Sequence, residues 1–174
     1  MDSIDYKAGM RRLAGTVCVV TTDRSSEDPA PPAAPGGLGG LTSTAVCSLS
    51  ADPPRLLCCV NQNSNTAAAI RANGVFAVNV LAEEDEEVAR QFATGLPAHL
   101  KFKAGAWRVG LTGAPVLSTA SAVFDCRVRR ITEEGSHLLV IGDVAAVHAA
   151  GNGKPLLYAH GAYGRLAHVS ALVG

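Results

Sequence analysis

The side chains most able to do chemistry in this chain are concentrated between residues 39 and 66. Small polar groups (Thr42, Ser43, Thr44, Cys47, Ser48, Ser50) crowd a weakly apolar segment that stops at Asp52-Pro53-Pro54. An apolar run over 56–60 ends at Asn61, and a polar turn, Gln62-Asn63-Ser64-Asn65, leads into an alanine-rich stretch. Two strands joined by a proline turn, then a helix starting among hydroxyl and amide side chains, would enclose a pocket. One end would offer backbone N–H groups to an anion, because the first turn of a helix has no internal acceptors for them. By spacing alone the simpler reading is an ordinary strand, a polar turn and a helix cap.

Outside that stretch the signals are sparser. His137 follows a turn and opens an apolar run; a lone histidine there is more often structural than catalytic. His99, His148, His160 and His168 lack metal-ligand spacing. The five cysteines, Cys18, Cys47, Cys58, Cys59 and Cys126, include no C-x-x-C and sit mostly in β-like apolar runs, so reduced structural thiols are expected. A redox pair at Cys58-Cys59 is not expected, since neighbours in a strand point to opposite faces. No G-x-G-x-x-G follows a strand, so a Rossmann-type nicotinamide site is excluded.

The elements that must position these groups read mainly as strands. The 174 residues are expected to form one domain over 1–174, and 48% hydrophobic against 17% charged residues makes it globular rather than disordered. A formal net charge of zero with no basic patch argues against nucleic acid and makes self-association easier. Residues 1–12 are charged with no apolar core of a signal peptide, and no run suits a membrane span, so a cytoplasmic location is expected. Residues 4–13 predict a helix with Tyr6, Met10 and Leu13 on one face, and 16–22 a strand. Residues 23–40, rich in Pro, Gly, Ser and Ala, predict a long surface loop. A helix over 66–72, capped by Ser64 or Asn65 and stopped at Asn73-Gly74, precedes a buried strand over 75–81. The five acids at 83–87 suit a first helical turn and a solvated face. Residues 94–109 read as irregular. Strands over 120–131 and 137–148 flank a turn at Glu133-Glu134-Gly135, and Gly151-Asn152-Gly153 turns into a last strand over 156–160. Many strands with short turns and three helices predict a mainly β barrel.

This arrangement resembles the short-chain flavin reductases, the reductase components of two-component flavin monooxygenases. The pattern is carried by Gly40, Thr42, Thr44, Ser48, Ser50, Asp52, Pro53, Pro54, Asn61, Ser64 and Thr66. It continues in G-V-F-A-V-N-V-L at 74–81, H-L-K-F at 99–102, G-A-P-V-L at 113–117, G-S-H-L-L-V-I-G-D-V at 135–144 and P-L-L-Y at 155–158. Each block is weak alone; their order and spacing over nearly the whole chain are specific.

The resemblance implies a split β-barrel with a few short helices, a homodimer, and a flavin near the subunit interface. It implies hydride transfer from NADH (or NADPH) to FMN or FAD, and delivery of reduced flavin to an oxygenase. Carried over residue by residue, Thr42, Ser43, Thr44, Ala45, Cys47 and Ser48 would line the flavin ring, with Cys59 beside them. Asn61, Ser64, Asn65 and Thr66 would hold the ribityl chain and phosphate. Lys101 and Phe102 match a Lys-Phe pair near the site. Tyr163, in G-A-Y-G, would stack on a ring or be a half-buried strand residue. His137 would orient the nicotinamide.

The chain also departs from the pattern. Gln62, Asn63 and Asn65 stand where Arg or Lys is common, leaving a neutral phosphate site with Arg55 or Arg71 as remote charges. Val46 replaces an aromatic residue, and Ser136 replaces the acid before His137. These departures leave a second expectation open, a flavin-binding carrier without NADH turnover. A third, a relative handling pyridoxal phosphate or a heme-type group, fits the whole-chain pattern least. The lack of a basic cluster favours NADH over NADPH, and the choice of FMN or FAD stays open.

Overall fold

The computed structural model describes residues 3–24, 37–149 and 153–167. Most of the expected 23–40 loop, the turn at Gly151-Asn152, and His168 lie outside the described residues. In chain order the elements are α1 (Ser3–Met10), β1 (Gly15–Thr16), β2 (Cys18–Thr22), β3 (Gly39–Ser43), β4 (Val46–Ala51), β5 (Pro54–Asn61), α2 (Asn65–Asn73), β6 (Val75–Val80) and a short 3-10 turn (Glu83–Asp85). There follow α3 (Glu86–Phe92), α4 (Ala98–Lys101), β7 (Trp107–Val109), β8 (Pro115–Leu117), β9 (Ala122–Glu134), β10 (His137–Ala149), β11 (Leu157–Ala159) and β12 (Ala162–Gly164).

Seven strands make one antiparallel sheet in the order β3-β2-β6-β9-β10-β5-β4. Its two edge strands, β3 and β4, are separated in the chain only by Thr44 and Ala45. A sheet whose first and last strands are two residues apart must curl round on itself, and it does so without closing: a barrel split between β3 and β4. This is the split barrel that the resemblance implied.

The curl produces two cores. Alternate residues of the strands, among them Val20, Val60, Phe76, Val78, Cys126, Leu138 and Val140, fill the inside, and Ala67 and Ile70 of α2 pack against them. The other faces of β2 and β6, with Val19, Val75 and Ala77, pack against Val88 and Phe92 of α3 and against Val116 and Leu117. Because β2 and β6 are covered on both faces, their sequences, C-V-V-T-T and V-F-A-V-N-V, show no polar–apolar alternation, and the polar residues they hold are buried. Each fully buried side chain such as Ile70 contributes about 1.5–3 kcal/mol.

Several boundaries differ from the expectations, each for a local reason. The strand predicted over 16–22 is cut at Val17: Gly15 and Thr16 pair with β11, while Cys18 onward pairs with β3 and β6. Gly39 and Gly40 belong to β3, not to the loop. Helix α1 stops at Met10, and its expected apolar face (Tyr6, Met10, Leu13) is exposed. Glu133 and Glu134 lie in β9; the reversal needs only Gly135, at φ 55°, and Ser136, because a two-residue turn matches strand twist.

The segment predicted irregular, 94–109, contains α4 and β7. The β7–β8 hairpin is pinned by buried polar groups: Asn79 Oδ1 accepts from Leu117 N at 2.7 Å, Thr21 Oγ1 donates to the Pro115 carbonyl at 2.6 Å, and Asp125 accepts from Thr112 N at 3.0 Å. Among the described residues no helix is long and apolar enough to cross a membrane.

Candidate functional site

A groove of about 670 Å3 runs along the split of the barrel. One wall is β3 continued through Thr44 and Ala45. The end of β5, at Asn61, and the first turn of α2 form a second. Residues Phe92–Leu96, Ala98 and Lys101 close the third, with His137 also lining the groove.

Chain-local chemistry builds the α2 end. Asn61 Oδ1 accepts from Asn63 N at 2.9 Å, and Ser64 Oγ donates to the Asn61 carbonyl at 2.7 Å. The same Ser64 oxygen accepts from Ala67 N at 3.1 Å, which makes Ser64 the N-cap, and Asn65 the first helical residue. Gly74, at φ 69°, ends the helix as expected. The positive end of α2 therefore opens into the groove among hydroxyls and amides.

The β3 wall is fixed from behind. Thr42 Oγ1 donates to the Ala89 carbonyl of α3 at 2.7 Å. Lys101 is buried, and its ammonium donates to the carbonyls of Gly40 and Phe92 at 3.2 and 3.3 Å. Burial lowers its pKa from the ordinary value. Gly40 has no room for a side chain: a Cβ there would lie 2.4 Å from Phe92 Cε1. Phe92 is held in turn by Phe102 and Trp107, at 4.9 and 5.2 Å between centroids. Since β3 is an edge strand paired only with β2, its free edge carries backbone N–H and C=O groups toward the split.

His137 opens β10 opposite Asn61 of β5 and Glu134 of β9. Its side chain is exposed, and Nδ1 lies 2.8 Å from Ser136 Oγ. The serine thus supplies a hydroxyl where the family pattern has an acid. Gln62 Nε2 donates to the Gly135 carbonyl at 2.9 Å, tying this turn to the α2 cap.

The expected site residues do not all meet. Thr42, Ser43, Thr44, Ala45, Cys59, Asn61, Ser64, Asn65, Thr66, Lys101 and His137 line the one groove. Cys47 and Ser48 line another, of about 620 Å3, beside Val46, Phe124 and Val144. Phe102 packs behind Phe92 rather than lining the groove, and Tyr163 lines two smaller cavities, one of them shared with Thr42, Ser43 and Thr44. Both expected remote charges are engaged: Arg71 with Glu133 at 2.6 Å, and Arg55 with Asp143 at 2.7 Å in the other groove. Lys101 is the only Lys or Arg among the described residues lining the main groove.

Sequence reasoning missed Leu38, Gly39, Leu41 and the 92–98 wall. Gly40 was available as a signal, since it belongs to the pattern; the 92–98 wall comes near only through the packing of Phe92.

The groove suits a flavin nucleotide on three observations. Its volume lies in the range of small-molecule sites. The free edge of β3 offers alternating donors and acceptors to the polar edge of a flat ring. The α2 end offers hydroxyls, amides and a helix dipole to a phosphate, and among the described residues no arginine lines it. Among the described residues no three His, Cys, Asp or Glu cluster to hold a metal ion.

Comparison with known proteins bears on the same residues. The family model described as flavin reductase like domain matches residues 10–167. A protein of Rhizobium rhizogenes named FMN reductase (NADH) RutF 2 is 40% identical over 154 residues, 88% of this chain and 83% of that protein. The FMN reductase (NADH) RutF of Agrobacterium fabrum is 38% identical over 156 residues, 90% of this chain and 84% of its own length. Among solved structures, the Streptomyces globisporus NADH:FAD oxidoreductase SgcE6, in complex with NAD and FAD fragments, superposes with a TM-score of 0.82 at 28% identity, covering 95% of this chain and 93% of that one. BorF, the flavin reductase component of a bacterial two-component tryptophan halogenase, gives 0.81 at 27% identity, covering 95% and 98%.

Proposed function

The chain belongs to the flavin reductase like domain family, and from that premise we propose that it is an NADH-dependent flavin reductase whose site is the groove along the barrel split. The observation that carries the reading is the meeting, in one groove, of the β3 edge, the α2 N-terminus and His137. FMN is the favoured flavin, on the names of the relatives at about 40% identity. A bound flavin supplies a ring that accepts a hydride at N5 and yields electrons to a later acceptor.

The roles of this chain's own residues follow from their placement. The backbone of β3 and the hydroxyls of Ser43 and Thr44 position the ring edge and favour negative charge there, while Thr42, whose hydroxyl proton goes to the Ala89 carbonyl, braces the strand. Asn61, Ser64, Asn65 and Thr66 hold the ribityl and phosphate end. Lys101 keeps the Gly40 carbonyl and the 92–98 wall in register. His137, oriented by Ser136, aligns the nicotinamide, which hydride transfer needs more than it needs an acid. Among the described residues the phosphate end has dipoles and no lining Lys or Arg other than Lys101, which supports flavin as an exchanging substrate rather than a permanent group.

On this reading the protein works as one domain, in a homodimer in the cytoplasm, and its reduced flavin diffuses to an oxygenase. The single family match over residues 10–167 supports the first point, and the names of the two-component neighbours the last.

The deciding measurement is the loss of NADH absorbance with added FMN, FAD or no flavin, repeated with NADPH. Saturable turnover with free FMN is expected, and His137→Ala should lower turnover while leaving flavin affinity unchanged. The neutral phosphate end and the missing acid at Ser136 favour one rival, a flavin carrier. Flavin binding by folded protein with no NADH oxidation would establish the carrier instead.

A further inference from the structure

A third groove lies between α3 and the β11–β12 hairpin. It holds about 460 Å3 between Glu86 and Arg90 of α3 and Tyr158 and Tyr163 of the β11–β12 hairpin, with Ala93 also lining it. A cavity of about 220 Å3 shares lining residues both with this groove and with the main one. Tyr158, Tyr163 and Ala93 line it together with Thr42, Ser43 and Thr44, which also line the main groove.

The side chains form one assembly. The tyrosine rings meet edge to face, with 5.4 Å between centroids. Arg90 lies 4.9 Å over the Tyr163 ring, and Glu86 holds its guanidinium at 2.9 and 2.6 Å. Tyr158 is 38% exposed and lines both cavities.

These groups select a ligand class. An anion approaching Arg90 would also meet the Glu86 carboxylate, so a phosphate is disfavoured. A flat heterocycle gains stacking on a tyrosine ring. One that carries an amino group beside a ring nitrogen can donate to Glu86 and accept from Arg90. Adenine has both features. We infer that this annex is an adenosine subsite, which takes the adenosine end of a dinucleotide whose other end occupies the main groove. The identity of that dinucleotide rests on the proposed reaction: NADH and FAD both carry adenosine.

The test compares wild type with Tyr158→Ala in two arms. In the first, NADH is set against reduced nicotinamide mononucleotide, with FMN as acceptor. In the second, FAD is set against FMN, with NADH as donor. Loss of the stacking face should raise KM about fivefold or more for whichever dinucleotide uses the subsite. The matching mononucleotide, which lacks adenosine, should be unaffected. A rise for NADH alone assigns the subsite to the nicotinamide dinucleotide, and a rise for FAD alone assigns it to the flavin. Equal or absent changes in all four would overturn the inference.

Calorimetric titration with AMP keeps it testable apart from catalysis. If the wild type turns over no nucleotide, AMP binding that is lost in Tyr158→Ala still supports the subsite, and no AMP binding to wild type overturns it. Tyr158→Leu retains apolar bulk in the hairpin and takes over both measurements if the alanine variant does not fold.

Discussion

Gly40 and Phe92 set the width of the groove. With a Cβ at position 40 only 2.4 Å from Phe92 Cε1, and Phe92 wedged between Phe102 and Trp107, neither side can yield easily. Gly40→Ala should therefore cost about 1–3 kcal/mol in urea unfolding, as overpacked sites do. An unchanged midpoint would mean that Phe92 swings away and does not wall the groove. The buried thiols make a second residue-scale prediction. Burial raises the Cys18 thiol from its ordinary 9.0 to about 12. Cys126 also rises to about 12, through burial and then the nearby Asp125 and Asp143 carboxylates. A raised acid holds its proton longer in the folded chain, so its stabilising effect is complete below pH 9.0 and is lost as pH climbs toward 12. Across that window each thiol should remove about 1.4 kcal/mol per pH unit. Cys18→Val should make the alkaline decline of unfolding free energy shallower by one thiol's share. A decline identical to wild type would show that the Cys18 thiol titrates freely in the fold.

At the scale of elements, the α2 N-terminus is the part that residue order alone builds. Ser64 accepts from Ala67 N and donates to the Asn61 carbonyl, so one hydroxyl joins the strand end to the helix start. Ser64→Ala should cost about 1 kcal/mol of stability, the usual worth of such a cap. It should also weaken flavin binding in a fluorescence titration, whereas Gly74→Ala, at the other end of α2, should cost stability with little effect on flavin. Equal losses of flavin affinity in the two variants would mean that the helix as a whole, not its cap, matters. The β7–β8 hairpin is the opposite case. Its strands are three residues long and are held by Asn79, Thr21 and Asp125, which come from distant strands.

Over the whole molecule, no element among the described residues covers the outer face of β4, β5 and β10. Cys47 is exposed there, and Leu57, Cys59, Leu139 and Ile141, which alternate with the barrel interior, are only half-buried. An apolar face next to the groove is the natural seat for a second copy. Ile141→Arg would place a charge in it. Light scattering should find two chains per particle in the wild type and one in the variant, with flavin affinity reduced. A monomeric wild type would remove the homodimer from the functional reading.

The sequence by itself determined the elements whose causes are local. The apolar runs over 56–60 and 137–148, the proline turn, the Ser64 cap and the Gly74 stop are each written within a few residues, and the ordered blocks identified the family. Tertiary structure alone decided which groups share the groove. Cys47 and Ser48 continue the same motif as Thr42–Thr44. The split places them beside another groove, because β3 and β4 lie on opposite edges of one curled sheet. Arg71 reads as a free cation near a phosphate site until Glu133, 62 residues away, is folded against it. Arg90 carries no signal in order or spacing, and Tyr158 stands only as the end of the P-L-L-Y block; the two meet around one cavity only when the β11–β12 hairpin docks on α3. Local patterns fix backbone conformation, while salt-bridge partners and cavity walls depend on contacts between residues far apart in the chain.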